Sequence, residues 1–192
     1  MENTRPEFST QELEDELEHE KDKKNFVLSL RSTVYFLLTV SAAAVLVAMF
    51  VMPVLRIYGT SMTPTLQEGN IVLAVKKTHF KAGDVVAFYY NNKVLVKRVV
   101  GEPGNWVDID ARGTVFIDNA ALNEPYIENK GKGQCDITLP YQVPDSRVFV
   151  MGDNRSVSVD SRSASIGCVA EEQIIGKIVF KIWPLNNFGF VN

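Results

Sequence analysis

The 192-residue chain carries 20 lysines and arginines against 23 aspartates and glutamates, for a net charge of -3. That balance lacks the basic excess of a nucleic-acid binder, and two cysteines, Cys135 and Cys168, are too few for a disulfide scaffold and are not spaced as zinc ligands. With 46% hydrophobic residues, enough apolar material remains for a core after a membrane segment is set aside.

Residues 1–31 are polar and acidic and read as a solvated cytoplasmic tail. A short helix is the other reading, since Ser9 and Glu12 have capping-box spacing and Leu13 and Leu17 stand four apart. From Ser32 to Leu55 no residue is charged. As a helix this stretch is ~36 Å long, enough to cross a hydrocarbon core of ~30 Å with some tilt. A cleaved secretory signal has a shorter apolar region near the chain start, so an uncleaved transmembrane helix over 32–55 fits better. Lys21, Lys23, Lys24 and Arg31 precede it and only Arg56 closely follows. The positive-inside rule then puts the N-terminus in the cytoplasm and residues 56–192 outside, in a single-pass plasma-membrane protein with the lipid bilayer as a partner.

Past the apolar segment the pattern becomes β. "IVLAVKK" (71–77), "DVVAFYY" (84–90) and "KVLVKRVVG" (93–101) are rich in Val, Phe and Tyr between Gly, Asn and Asp. Asn91-Asn92 predicts a tight hairpin, because asparagine tolerates positive φ. "WVDID" (106–110) and "TVFID" (114–118) predict a second hairpin, while 119–146 read as loops or short strands. "RVFVMGD" (147–153) and "IIGKIVFKIW" (174–183) return to strand. The expected fold is mainly β: an antiparallel catalytic sheet with a smaller inserted β region over 104–145, behind one N-terminal transmembrane helix.

Three stretches carry candidate chemistry. Ser61 lies in "YGTSMTPTLQEGN", a loop rich in helix-breaking residues. Its possible bases are few. His19 falls on the cytoplasmic side, and His79 sits in the charged connector "KKTHFKAGD" and reads as a surface histidine. Lysine is the remaining base. Lys97 is flanked on its strand face by Leu95 and Val99, and burial there disfavours the ammonium by as much as ~3–5 pK units. Arg98 has the equivalent position on the other face, so alternation alone leaves open which cation turns inward. Arginine, however, stays protonated and cannot act as a base. The third stretch, "MGDNRSVSVDSRSASIG" (151–167), reads either as a polar surface loop or as part of a site. Asp160 and Arg162, two apart, are placed to pair or to brace a neighbour.

The motifs "GTSMTPTL" (59–66), "GDVVAF" (83–88), "VKRVVGEPG" (96–104) and "GDNRSVSVDSR" (152–162) occur in the order seen in type I signal peptidases, and the chain resembles that family from its anchor through residue 183. The resemblance implies Ser61 as nucleophile and Lys97 as general base. It implies Ser158 as the residue that hydrogen-bonds and orients the lysine, and Asp160 with Arg162 as a supporting ion pair. Gly152, Asp153 and Asn154 match a turn that shapes the site, and Met62 and Gly59 border the substrate groove and oxyanion backbone. The implied substrates are the signal peptides of secreted preproteins, cut after small residues; no cofactor, metal or nucleic acid is implied. Gly59 replaces a serine that completes the oxyanion hole in some members, which leaves backbone donors such as the Ser61 N–H. Asn105 stands where Asp is usual, the gap from Arg162 to Gly167 is longer than in some members, and the short insertion is similar to that of compact Gram-positive enzymes.

Chain length agrees on location. Ser61 follows Arg56 by a reach of at most ~18 Å, so the nucleophile is expected near the outer membrane surface. The alternative from another class is a membrane-anchored β module that binds a partner without chemistry. A self-cleaving Ser-Lys repressor is disfavoured by the apolar segment and acidic tail, and a cysteine transpeptidase using Cys168 by the missing histidine. Outside the cytoplasm Cys135 and Cys168 would meet oxidising conditions, where pairing is open to them.

Overall fold

The computed structural model describes residues 10–191, with side chains over 17–48 and 52–191. Among the described residues one α-helix, α1, runs Thr10–Val51. It therefore begins well inside the stretch read as a solvated tail; Ser9, one half of the expected capping box, lies outside the described residues. Leu17–Ala48 is long and apolar enough to cross a membrane, and none of it is buried by the protein. The helix stops before Pro53, whose ring disfavours helical geometry in the preceding residue. Val54 and Leu55, assigned to the transmembrane segment from composition, instead belong to strand β1 (Val54–Arg56).

Residues 49–192 form a separate compact unit. Its main sheet runs β1, β2 (Ile71–Val75), β11 (Ile174–Trp183), β3 (Val85–Tyr90), β4 (Lys93–Gly101), β9 (Arg147–Met151) and β10 (Val169–Ala170), with β12 (Gly189–Phe190) beside β11. Every pairing is antiparallel. The β3–β4 hairpin closes through Asn91 and Asn92 at φ 44° and 62°, the left-handed geometry that two-residue hairpins require. The smaller sheet, β7-β6-β5-β8, lies wholly within the insertion: β5 (Trp106–Ile109), β6 (Val115–Ile117), β7 (Ala120–Ala121) and β8 (Tyr141–Gln142). The expected second hairpin is the β5–β6 pair, and a further hairpin, β6–β7, turns on Asp118 and Asn119, also at positive φ.

The expected strands thus recur within a few residues of their boundaries. Alternation is lost where a strand is covered on both faces. In β4 the last five residues, Lys97–Gly101, are all buried. Val99 packs with Phe88 and Val150, while Val100 packs with Val107 and Phe149 of the insertion side. A third apolar cluster joins Ile57, Met62 and Leu66 to Val72, Val85 and Ile178. This cluster fixes the loop that carries Ser61.

Candidate active site

Ser61 sits on a loop pinned at its base by two backbone bonds, Ile57 N–H to Asn70 C=O (2.8 Å) and Gly69 N–H to Ile57 C=O (2.9 Å). Inside it, the Leu66 N–H reaches the Met62 carbonyl (2.8 Å), and both side chains are buried. Two apolar anchors on one tight turn hold the intervening backbone still and leave the Ser61 side chain half-buried at its edge. From β11, the Lys181 ammonium donates to the Thr65 carbonyl at 3.1 Å and braces the turn from behind.

Lys97 approaches from β4. Its Nζ lies 2.7 Å from Ser61 Oγ, and the residue is only 4% exposed. Burial is the main influence on the amine and pulls its pKa below the ordinary lysine value. Asp160 works against that shift, Arg162 with it, and Asp153 against it. Lys97 and Arg98 of β4 are both buried, each with its own partner. Arg98 donates from Nε and Nη2 to Asp153 (3.0 and 2.9 Å) and from Nη1 to the Gly83 carbonyl (2.8 Å). Its guanidinium carbon stands 3.9 Å from the centre of the Tyr126 ring.

The loop after β9 supplies the remaining residues. The Asn154 N–H donates to the Ser61 carbonyl (3.0 Å). The Gly152 N–H donates to Asp160 (3.0 Å), and Arg162 grips the same carboxylate from Nε and Nη2, both at 2.8 Å. Burial raises the Asp160 pKa, but the hydrogen bonds and charge of Arg162 outweigh it and leave the group below the usual carboxylate range. Ser158 lies beside Gly152. The hydrogen bond from Ser158 to Lys97 that the resemblance implies is not made; Ser158 Oγ is buried without a partner among the described residues.

A groove of about 430 Å³ opens beside the Ser61–Lys97 pair, lined on one side by Leu55–Gly59 and on the other by Lys93–Lys97. Its borders have unpaired edges. Strand β1 pairs only with β2, and β4 meets β9 only from Arg98 onward, so the edge of Lys93–Lys97 away from β3 is free. Gly59 and Met62 lie in its wall. The Ser61 N–H has no acceptor among the described residues.

Histidine plays no part in this arrangement. His79 is exposed and lies 3.7 Å from Glu171. Cys135 and Cys168 are both free thiols. Asn105, at the position where Asp was expected, accepts the Glu102 N–H (2.8 Å) and donates to Asp118 (2.7 Å), well inside turn chemistry.

Sequence reasoning foresaw neither the Arg98–Asp153 pair nor a second buried ion pair. Arg155 is held by Glu124 of the insertion, with side chains 1% and 0% exposed, and its Nε donates to the Gly152 carbonyl (3.1 Å). Tyr126 donates its hydroxyl to Glu124 (3.1 Å); burial first, then the Glu124 charge, push the Tyr126 pKa well above the usual phenol value. No spacing in the sequence links position 124 to 155.

A family profile described as signal peptidase, peptidase S26, matches residues 30–183. The chain is 35% identical over 165 residues to signal peptidase IB of Staphylococcus aureus strain MRSA252, covering 76% of this chain and 85% of the relative. It is 32% identical over 182 residues to signal peptidase I of Bacillus licheniformis, covering 88% and 95%. A crystal structure of a signal peptidase I from Enterococcus faecalis V583 covers 54% of this chain and 98% of its own at 29% identity, with a TM-score of 0.45.

Proposed function

Because the chain belongs to the signal peptidase family, peptidase S26, and is a membrane-bound serine endopeptidase of the Ser-Lys type, we propose that Ser61 and Lys97 are its dyad and that it removes signal peptides from exported preproteins. The observation that carries the assignment is the 2.7 Å contact between Ser61 Oγ and a Lys97 amine kept from water. A dry, neutral amine at that distance is a competent base for a hydroxyl.

Ser61 Oγ attacks the scissile carbonyl carbon as its proton passes to Lys97 Nζ. The oxyanion of the tetrahedral intermediate takes the Ser61 N–H, whose freedom from other acceptors supports that role. Collapse breaks the C–N bond, and the Lys97 ammonium returns the proton to the leaving amine. Lys97 then deprotonates a water that hydrolyses the acyl-Ser61 ester. While Lys97 carries the extra proton it has an N–H to spare, and the unpartnered Ser158 hydroxyl is the natural acceptor once either side chain turns.

The substrate lies extended in the groove, bonding its main chain to the free edges of β1 and β4 as an added strand does. Small side chains before the cut suit a wall formed by Met62, Leu95 and Val96. The lysine and arginine bias around the apolar segment supports a cytoplasmic N-terminus and an external catalytic unit.

The test is cleavage of a radiolabelled preprotein by the full chain in detergent. Ser61→Ala and Lys97→Ala each abolish processing while the melting temperature stays near that of wild type. Normal processing by either variant refutes the dyad. A serine-directed acylating peptide labels Ser61 in wild type; absence of label would favour a non-catalytic binding module.

A further inference from the structure

The insertion has a long connection between β7 and β8, residues 122–140, with no strand or helix. Irregular connections longer than about 12–15 residues are uncommon in compact domains and usually have a job. This one lies against the loop that carries the site. Glu124 holds Arg155. The Lys132 carbonyl accepts from Arg162 Nη1 at 2.7 Å. Asp136 accepts the Ala164 N–H (2.5 Å) and the Ser163 hydroxyl (3.3 Å), and its own N–H reaches the Arg162 carbonyl (3.0 Å). Three separate points of a strand-free segment therefore fasten residues 155–164.

Gly133 is the tightest of these contacts. At φ +58°, an added Cβ would stand 2.3 Å from the Arg155 carbonyl oxygen and 2.6 Å from Arg162 Nη1. Only a residue without a side chain lets the Arg162 guanidinium occupy its seat. We propose that Lys132–Gly133 is a positioning element for catalysis: its carbonyl and bare backbone seat Arg162 against Asp160 and the Ser158 carbonyl, and so set the surroundings of Lys97 from outside the catalytic sheet.

The linkage is continuous. Arg162 holds Asp160 by two bonds and the Ser158 carbonyl by a third at 3.2 Å. Asp160 holds the Gly152 N–H. Gly152 in turn packs against the Ser61 backbone and the Ser158 side chain. The charged groups acting on Lys97 are Asp160, Arg162 and Asp153, the last neutralised by Arg98. Moving Arg162 away removes a positive charge and leaves Asp160 free to favour the ammonium. Activity then demands a higher pH.

The inference rests on the Ser61–Lys97 reading, and the test separates the two. Full-length Gly133→Ala is assayed for kcat and KM against pH on a signal-peptide substrate, beside wild type, Ser61→Ala and Gly167→Ala. Gly167 has φ +59° with open space around it, so its alanine variant carries the same backbone strain without touching Arg162. The acid limb of kcat/KM for Gly133→Ala moves up by about 0.5–1 pH unit, a roughly 3–10-fold loss below that limb. KM changes little, because the groove walls are untouched. Asp136→Ala, which loosens the same strap without crowding, shifts the limb in the same direction by less, and it carries the test if Gly133→Ala does not fold. A limb that stays in place in the folded variant, with only melting temperature or active fraction lowered, overturns the proposal, as does an equal shift in Gly167→Ala. Activity in Ser61→Ala overturns the dyad itself.

Discussion

Gly152→Ala tests how tightly the site is built. Gly152 directly follows β9, and a Cβ there would lie 2.3 Å from Ser158 Oγ and 2.5 Å from the Ser61 carbonyl oxygen, against 3.4–4 Å for ordinary contact. Turning the Ser158 hydroxyl aside would still leave its Cβ at 2.6 Å and the Ser61 carbonyl oxygen at 2.5 Å, so relief takes a backbone displacement of about 1 Å. The Ser61 backbone is tied by the Asn154 N–H and by the loop base, so a shift there carries the proposed nucleophile with it. A misplacement of about 1 Å costs on the order of a hundredfold in rate, or ~2.7 kcal/mol in the barrier. The assay is kcat/KM on a fluorogenic signal-peptide substrate, with a thermal melt and acyl-probe labelling of Ser61. The expected result is a folded variant with activity down about a hundredfold and slow labelling. A folded Gly152→Ala within about threefold of wild type would show that the site gives way easily, and the rigid coupling of residues 61, 152 and 158 would have to be abandoned.

On the proposed dyad the neutral amine is the active form, so activity should rise with pH through the Lys97 pKa; because burial lowers that pKa, the midpoint of kcat/KM falls below ~10.4, the free lysine value. Lys97→Arg is inactive at every pH in the same profile, since a guanidinium gives up no proton. Glu124→Ala leaves Arg155 buried and unpaired, and urea unfolding should read a loss of ~3–5 kcal/mol. Burial pushes the Cys168 thiol up to about 11, so iodoacetamide near neutral pH alkylates half-buried Cys135 first, and mass spectrometry finds Cys168 modified only after denaturation.

What the sequence disclosed follows from the range of the forces involved. Strands 71–77, 84–90 and 174–183 were legible because composition and turn residues act locally, and Asn91-Asn92 specified its hairpin through backbone preference alone. Ser61 and Lys97 were reachable by elimination among the available bases, and their motifs carried the resemblance. The helix runs through a stretch that reads mainly as solvated tail because its sequence up to Lys24 is polar and has no apolar run to announce it, and the strand at Val54–Arg56 reads as part of the apolar segment because Val54 and Leu55 are as apolar as the residues before Pro53. Lys97 and Arg98 defeated the alternation rule because β4 is covered on both faces. Glu124, Tyr126 and Gly133 were invisible for another reason: their partners, Arg155, Arg98 and Arg162, are distant in the chain, and only the folded insertion brings them together.

The free edges of β1 and β4 have a consequence for the breadth of clients. A cleft that grips a visitor chiefly by its amide groups is indifferent to most of what those amides carry. On the proposed docking, one such cleft would serve many exported proteins of unrelated sequence, provided that the few side chains turned into the wall are small. The same feature sets its chief prohibition: an imino acid beside the scissile bond, having no N–H to offer, forfeits the very contacts on which this promiscuity depends.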